Sequence, residues 1–118
     1  MASTARFEVV AIGNAIVDVI ARADDALIEA EGLTKGSMRL IDAEEAGRLY
    51  AAMGPAIEMS GGSAANTLAG MAALGRRCAF IGQVADDQLG SVFTHDLRAL
   101  GVAYETPALK EGAPTARC

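Results

Sequence analysis

The sequence is poor in the residues that metal, redox and nucleic-acid sites usually need. Its 118 residues include one histidine, two cysteines and no tryptophan, and aromatic residues make up only 4% of the chain. Cys78 and Cys118 have neither metal-ligand nor redox spacing, and His95 alone cannot form a multi-histidine metal site. We therefore expect Cys78 to be a buried apolar residue and His95 to lie on the exposed side of a helix.

Positive charge and long apolar runs are also scarce. Ten Lys and Arg residues against fifteen Asp and Glu residues give a formal net charge of −5, and no basic cluster is present. This balance argues against a nucleic acid or an anionic membrane as a partner. The apolar run over residues 7–21 contains Glu8, Asn14 and Asp18, and it is too short to span a bilayer. It does not resemble an export signal, so we expect a cytoplasmic protein.

Small and apolar residues are abundant, and they occur in short alternating runs. Hydrophobic residues make up 52% of the chain, which is long enough for one domain with a substantial core. Strand-like runs such as residues 7–13 and 78–84 alternate with helical segments such as those that begin at Asp42 and at Asp86-Asp87. This pattern predicts an α/β fold with a mainly parallel sheet flanked by helices. Short extra strands after Gly13 and Gly101 fit this scheme poorly and predict a small separate sheet.

Residues 59–67 have the pattern of a strand, a tight turn and the start of a helix. Gly61 and Gly62 allow the backbone to turn sharply and to approach a ligand closely. The helix start then offers unpaired N–H groups, and Asn66, one turn later, adds an amide that can donate and accept. The structural alternative is an ordinary helix start that is capped by Ser60 or Ser63.

Asp18 is the unusual member of an otherwise β-branched strand over residues 15–21. Ile16 and Asp18 lie on one face of this strand, because side chains two residues apart point the same way. Aspartate is unfavourable in strands. Asp18 is therefore either a functional carboxylate or an ordinary edge or turn residue.

Three blocks of residues occur in a characteristic order and spacing. They are Gly13-Asn14-x-x-x-Asp18, Gly61-Gly62-x-x-x-Asn66 and Phe80-Ile81-Gly82-x-Val84-x-Asp86-Asp87-x-x-Gly90. Together they resemble the N-terminal part of the ribokinase-like (PfkB) carbohydrate and nucleoside kinases, and bacterial adenosine kinase-like members most of all. Each block alone is a weak signal, whereas the set is specific and covers nearly all of the chain. The resemblance implies a ribokinase-like fold with a small β-sheet lid, formed by residues 15–21, 37–41 and 102–118.

The resemblance also implies a substrate site. In it, Asp18 accepts hydrogen bonds from two sugar hydroxyls, Gly61, Gly62 and Asn66 hold the sugar from the helix start, and Asn14 lies beside them. Ile16 stands where sugar kinases of the ribokinase type carry asparagine and adenosine kinases carry an aliphatic residue. An apolar contact suits a purine, which favours a nucleoside, and adenosine above others. Ile16 as a core residue of the lid is the alternative, and Met38 or Leu40 could extend the same apolar wall.

The implied reaction transfers the γ-phosphoryl group of ATP, with Mg²⁺, to a hydroxymethyl oxygen of a nucleoside or sugar. The sequence contains neither the family's Gly-Ala-Gly-Asp segment, which carries the base and the anion-stabilising loop, nor a Walker A motif. We therefore expect no catalytic and no metal-binding residue in these 118 residues, and no activity of the chain alone. The chain reads as the N-terminal part of a longer kinase whose ATP-binding part lies elsewhere. The lid is also a candidate homodimer surface.

Other classes of protein remain as alternatives. Within the same family, the alternative is a sugar kinase of the ribokinase or fructokinase type. A dinucleotide-dependent oxidoreductase needs three spaced glycines after the first strand, and only Gly13 is there. A non-catalytic module that binds a sugar or nucleoside also fits the chain as it stands.

Overall fold

The computed structural model describes residues 4–118, which form short strands and helices in alternation. In chain order they are β1 (Val9–Ile12), β2 (Ile16–Ala21), α1 (Asp25–Ala30), α2 (Ala43–Ala52), β3 (Ala56–Gly61), α3 (Ser63–Ala73), β4 (Cys78–Ile81), α4 (Gln88–Ala99), β5 (Ala103–Tyr104) and β6 (Ala116–Arg117). The α/β class predicted from the sequence is confirmed. Within this described range, no helix is both long enough and apolar enough to cross a membrane.

The chain divides into two compact units. The first comprises Met1–Asp18 and Glu58–Cys118, and the second comprises Val19–Ile57. The first unit contains a three-stranded sheet with the order β1-β4-β5, in which both strand pairs are parallel. Helix α3 packs against β1 and β4, and α4 packs against β5. The mainly parallel sheet flanked by helices is therefore present.

One face of this parallel sheet carries the aromatic core. The rings of Phe80, Phe93 and Tyr104 lie 5.5–5.8 Å apart in tilted and edge-to-face arrangements, which aromatic pairs prefer. The Tyr104 hydroxyl donates a hydrogen bond of 2.7 Å to the Gly82 carbonyl. Burial raises the pKa of Tyr104 because it disfavours the phenolate, so the hydroxyl keeps its proton and its role as a donor. Cys78 is buried, as predicted.

The opposite face of the same sheet is open. Val10 is 53% exposed, Ile12 is 78% exposed and Ile81 is 47% exposed, although Ile12 and Ile81 are direct neighbours in the β1–β4 register. The nearly continuous apolar runs of these strands are typical of parallel sheets that are covered on both sides. In the described residues, the helices cover one side of this sheet.

A second sheet has the order β3-β2-β6. Strands β2 and β6 are parallel, with Ile16 opposite Ala116 and Val17 opposite Arg117, and the Cys118 N–H donates to the Val17 carbonyl at 2.9 Å. Val17 has no exposed surface and anchors the strand in the core. The predicted extra strand over residues 15–21 and its separate sheet are thus observed.

Two predicted lid strands differ from the structure. Residues 102–106 do not join the second sheet, because Ala103 and Tyr104 pair with Ala79 and Phe80 of the parallel sheet. The Tyr104 ring belongs to the aromatic core, and its burial favours this pairing. Of the predicted lid segment 102–118, only Ala116–Arg117 forms a strand beside β2.

Residues 37–41, in the second unit, form no strand. Met38 is 84% exposed and Leu40 is 90% exposed, so these apolar side chains are not buried within their unit. A strand gains stability only from pairing and from packing of its side chains, and neither occurs here. Helix α2 begins as predicted, because Asp42 caps it through the Glu45 N–H, and Asp24 caps α1 in the same way through the Leu27 N–H.

Replacing Tyr104 by Phe tests the polar contact inside the aromatic core. Tyr104→Phe keeps the ring but leaves the Gly82 carbonyl without its donor, which should lower the free energy of unfolding by about 1–2 kcal/mol. Phe93→Ala, which removes a fully buried ring, should cost roughly 3–5 kcal/mol. Denaturant unfolding measures the free energy of unfolding of both variants. The loss should be larger in Phe93→Ala than in Tyr104→Phe, and an equal loss in the two would contradict this prediction.

Candidate functional site

The turn between β3 and α3 is built by two glycines. Gly62 is the N-cap of α3 and has a φ of +90°, a backbone conformation that residues with a Cβ rarely adopt. The first helical hydrogen bond runs from the Asn66 N–H to the Gly62 carbonyl at 2.9 Å. No side chain of the described residues caps the start of α3, so the alternative of a cap by Ser60 or Ser63 is wrong. The N–H groups of the first turn therefore remain available to a ligand.

The Asp18 carboxylate lies directly against Gly61. A Cβ added to Gly61 would lie 2.5 Å from Asp18 Oδ2 and 2.7 Å from Oδ1 and Cγ, which is closer than real contacts allow. Gly61 is buried and Asp18 is half-buried. Residues 43 positions apart are thus in contact, and the absence of a side chain at Gly61 makes room for the carboxylate.

Asn14 and Ile16 meet the second glycine. A Cβ on Gly62 would lie 2.8 Å from the Asn14 carbonyl oxygen and 3.9 Å from Ile16 Cβ. Asn14 and Ile16 also line a cavity of about 320 Å³. The other residues around this cavity come from the β1–β2 connection, the loop after β4 and residues 109–116, and several are apolar, among them Val84, Leu109, Ala113, Pro114 and Ala116.

The structure brings five of the six predicted site residues together. Asn14, Ile16, Asp18, Gly61 and Gly62 form one contiguous group, whereas Asn66 lies one turn into α3 with an exposed side chain. This group combines an oxygen acceptor on one side with open backbone donors on the other. Such a pairing can bind a molecule that carries several hydroxyl groups, since each hydroxyl both donates and accepts.

Sequence reasoning missed the residue that holds the strand before the diglycine. The Asp96 carboxylate on α4 accepts a hydrogen bond of 2.8 Å from the Ser60 N–H. His95, the neighbour of Asp96, is exposed as predicted, with its Nδ1 3.5 Å from Asp96 Oδ1. Nothing in the local pattern of a helix indicates that one of its carboxylates binds a backbone amide 36 residues away.

A second missed contact involves Asp87, the predicted cap of α4. Its carboxylate accepts from the Gly90 N–H, as a cap does, and also from both the N–H and the hydroxyl of Thr115. Desolvation raises the pKa of Asp87, but these hydrogen bonds and the nearby Arg117 charge outweigh it, and the pKa is lowered overall. The carboxylate is therefore held in its charged form.

The described residues do not provide a metal site. Within residues 4–118, no group of three or more His, Cys, Asp or Glu side chains could hold a metal ion. A depression of about 470 Å³ along α4 is lined by residues such as Thr94, His95 and Arg98, and none of the predicted site residues borders it.

Comparison with known families identifies the class of protein to which this fold belongs. The family model described as "pfkB family carbohydrate kinase" matches residues 6–118. The chain belongs to this family, and its fold is ribokinase-like. No curated protein sequence matches the chain.

Solved structures show the same relationship. The chain is 58% identical to an adenosine kinase from Sinorhizobium meliloti, with a TM-score of 0.79, over 96% of this chain and 35% of that one. It is 56% identical to a probable sugar kinase from Rhizobium etli CFN 42, with a TM-score of 0.76, over 95% of this chain and 34% of that one. An adenosine kinase from Schistosoma mansoni, in complex with adenosine and AMP, shares the fold at 23% identity, with a TM-score of 0.76, over 92% and 34% of the two chains. The chain spans about a third of the length of these relatives.

Substituting Gly61 tests its contact with Asp18. Gly61→Ala should lower the free energy of unfolding by about 1–3 kcal/mol, because the new methyl group forces the carboxylate to move. In an Asp18→Ala background the same change should cost at least about 1 kcal/mol less, since the colliding atoms are gone. Denaturant unfolding of the four proteins of this double-mutant cycle gives the coupling.

Gly70→Ala is the matched control for this cycle. Gly70 lies inside α3, and a Cβ placed there meets nothing within 4 Å. The change should therefore stabilise the protein by about 0.5–1 kcal/mol, the usual gain when alanine replaces glycine in a helix. Strict additivity of Gly61→Ala and Asp18→Ala would contradict the contact.

Proposed function

We propose that this chain is the acceptor-binding part of a longer ATP-dependent kinase. The kinase phosphorylates a hydroxymethyl group of a nucleoside, with adenosine as the favoured acceptor. The observation that carries the proposal is the contact between the Asp18 carboxylate and the Gly61–Gly62 turn, at an uncapped helix start.

The chemistry of this pair suits the ribose of a nucleoside. An ionised carboxylate only accepts hydrogen bonds, and its two oxygens can hold the two neighbouring hydroxyls of a ribose. The open N–H groups of α3 can donate to the same hydroxyl oxygens from the helix side. In this proposal Asn66 completes the contacts from the first turn of α3.

A nucleoside is favoured over a bare sugar because of the surface next to this pair. Ile16 lies beside Gly62 and borders the 320 Å³ cavity, whose wall includes Leu109 and Pro114. Apolar walls with a few polar groups suit a flat purine better than a free sugar. The two most similar relatives reported above, an adenosine kinase and a probable sugar kinase, are almost equally identical to the chain, so the preference depends on Ile16 and this cavity.

The phosphoryl donor would be held by parts of the kinase outside these residues. Solved relatives are about three times longer than the chain. In the proposed kinase the remaining part supplies the catalytic base, the ATP site and the Mg²⁺ contacts, and covers the exposed face formed by Val10, Ile12 and Ile81. Because ATP is a cytoplasmic metabolite, the proposed activity implies a cytoplasmic protein.

Acceptor kinetics of the full-length protein that carries this chain test the proposal. Adenosine should be phosphorylated with a higher kcat/KM than ribose or fructose. Asp18→Asn should lower kcat/KM for adenosine about tenfold to hundredfold, which corresponds to the roughly 1.5–3 kcal/mol of a hydrogen bond to a charged group. A faster reaction with fructose or ribose would instead indicate a sugar kinase.

Asp25→Asn is the matched control for the acceptor kinetics. Asp25 is a surface carboxylate that pairs with Lys35 at 2.9 Å, and both side chains are more than three-quarters exposed. Its loss should leave kcat/KM within a factor of two. An unchanged kcat/KM in Asp18→Asn would contradict the assignment of Asp18 to the acceptor site. Binding of adenosine without any turnover by the full-length protein would favour a non-catalytic module.

The isolated 118-residue chain should not transfer phosphate. Positioning of both substrates and exclusion of water are required for phosphoryl transfer, and in this proposal the donor site lies in the remaining part of the kinase. A phosphotransfer assay with labelled ATP, run beside the full-length protein at equal concentration, measures this. Turnover by the isolated chain would contradict the division of the site between two parts of the kinase.

A further inference from the structure

A partly buried hydrogen-bonded centre outside the candidate substrate site ties α4 to β6. Thr115 is only 3% exposed, and its hydroxyl donates to Asp87 Oδ1 at 2.6 Å and accepts from the Ala85 N–H at 2.9 Å. The Thr115 N–H donates to Asp87 Oδ2 at 3.0 Å, and the Gly90 N–H donates to Oδ1 at 2.8 Å. Both carboxylate oxygens and the single hydroxyl are thus used, which fixes residue 115 against the start of α4.

The residues directly after Thr115 hold the strand that carries Asp18. Ala116 is paired with Ile16 and Arg117 with Val17, and the Cys118 N–H donates to the Val17 carbonyl. Asp18 is the next residue along β2. A shift of Thr115 would therefore pass through this ladder to the residues on either side of Val17.

The same segment forms part of the wall beside Ile16. Pro114 and Ala116, the two neighbours of Thr115, border the 320 Å³ cavity together with Asn14 and Ile16. Ala85, whose N–H binds the Thr115 hydroxyl, borders it as well. The position of Thr115 thus determines where this wall stands relative to Ile16.

We propose that Asp87 and Thr115 are positioning residues for the acceptor site. They touch no substrate, and they act by holding β6, which in turn holds β2 and one wall of the adjoining cavity. This inference rests on the proposed function, because it assigns their effect to binding of the acceptor. It predicts a selective loss of affinity for the acceptor. A general structural role would instead weaken the binding of both substrates, or lower the stability alone.

Replacement of Thr115 in the full-length protein provides the test. Thr115→Val keeps the shape but removes the hydroxyl, and it should raise KM for adenosine about tenfold while KM for ATP and kcat stay within a factor of two. Thr115→Ser restores the hydroxyl and should return KM for adenosine to within twofold of the wild type. Thr94→Val is the matched control, because the Thr94 hydroxyl donates to the Gly90 carbonyl within α4.

Asp87→Asn extends the test if Thr115→Val does not fold. The amide keeps one acceptor oxygen for Gly90 but presents N–H groups to the Thr115 N–H, so it should show the same selective rise in KM. Equal rises in KM for adenosine and ATP, or unchanged KM with lowered stability alone, would overturn the proposal. A failure of Thr115→Ser to rescue would overturn it too.

Hydrogen exchange separates this inference from the proposed function. The Cys118 amide, which binds the Val17 carbonyl, should exchange about tenfold faster in Thr115→Val and at the wild-type rate in Thr94→Val. If the wild-type protein phosphorylates none of adenosine, ribose and fructose, the proposed function fails, and the exchange rate alone decides whether Thr115 holds β6. An unchanged rate would overturn the positioning role.

Discussion

The structure of the candidate site depends on the close approach of a carboxylate to a glycine backbone. Asp18 lies where a side chain at Gly61 would have to be, and Gly62 then turns the chain with a positive φ into an uncapped helix. Partial burial of a carboxylate is costly unless opposite charge or donors lie nearby. A helix start carries unpaired N–H groups and a positive dipole end, and α3 begins directly after the two glycines. The two glycines and the aspartate therefore form one structural unit, and replacing any one of them would alter the positions of the other two.

The parts of this unit and of the surrounding fold that could be predicted from the sequence are those whose signals are local. The glycine pair, the aspartate in a β-branched strand and the aspartate caps of α2 and α4 all follow from the conformational preferences of single residues. The relation between Asp18 and Gly61 came from a resemblance, since no local rule links residues so far apart. The structure places the Asp18 carboxylate against Gly61, and the roles of these residues in binding remain proposals.

The parts that could not be predicted all depend on non-local partners. The short apolar segments 37–41 and 102–106 look alike as strand candidates, yet one forms no strand and the other joins the parallel sheet through Ala103 and Tyr104. A β-branched or apolar run indicates only that the segment is compatible with a strand. Whether the strand forms depends on the neighbouring strand with which it can pair. The links from Asp96 to Ser60 and from Asp87 to Thr115 span 36 and 28 residues, so helical periodicity could not reveal them either.

Helix α4 has a wider role than its sequence suggests. Its apolar residues Phe93 and Leu97 fill the core, while its cap Asp87 holds the segment before β6 and Asp96 holds the end of β3. Strands β6 and β3 are the two outer strands of the sheet whose middle strand carries Asp18. Because each outer strand is fixed to the same helix by a carboxylate–amide hydrogen bond, the middle strand has little freedom to slide. A frame of this kind would reduce the conformational entropy that the protein loses when the proposed acceptor binds, since the groups that meet the acceptor are already in place.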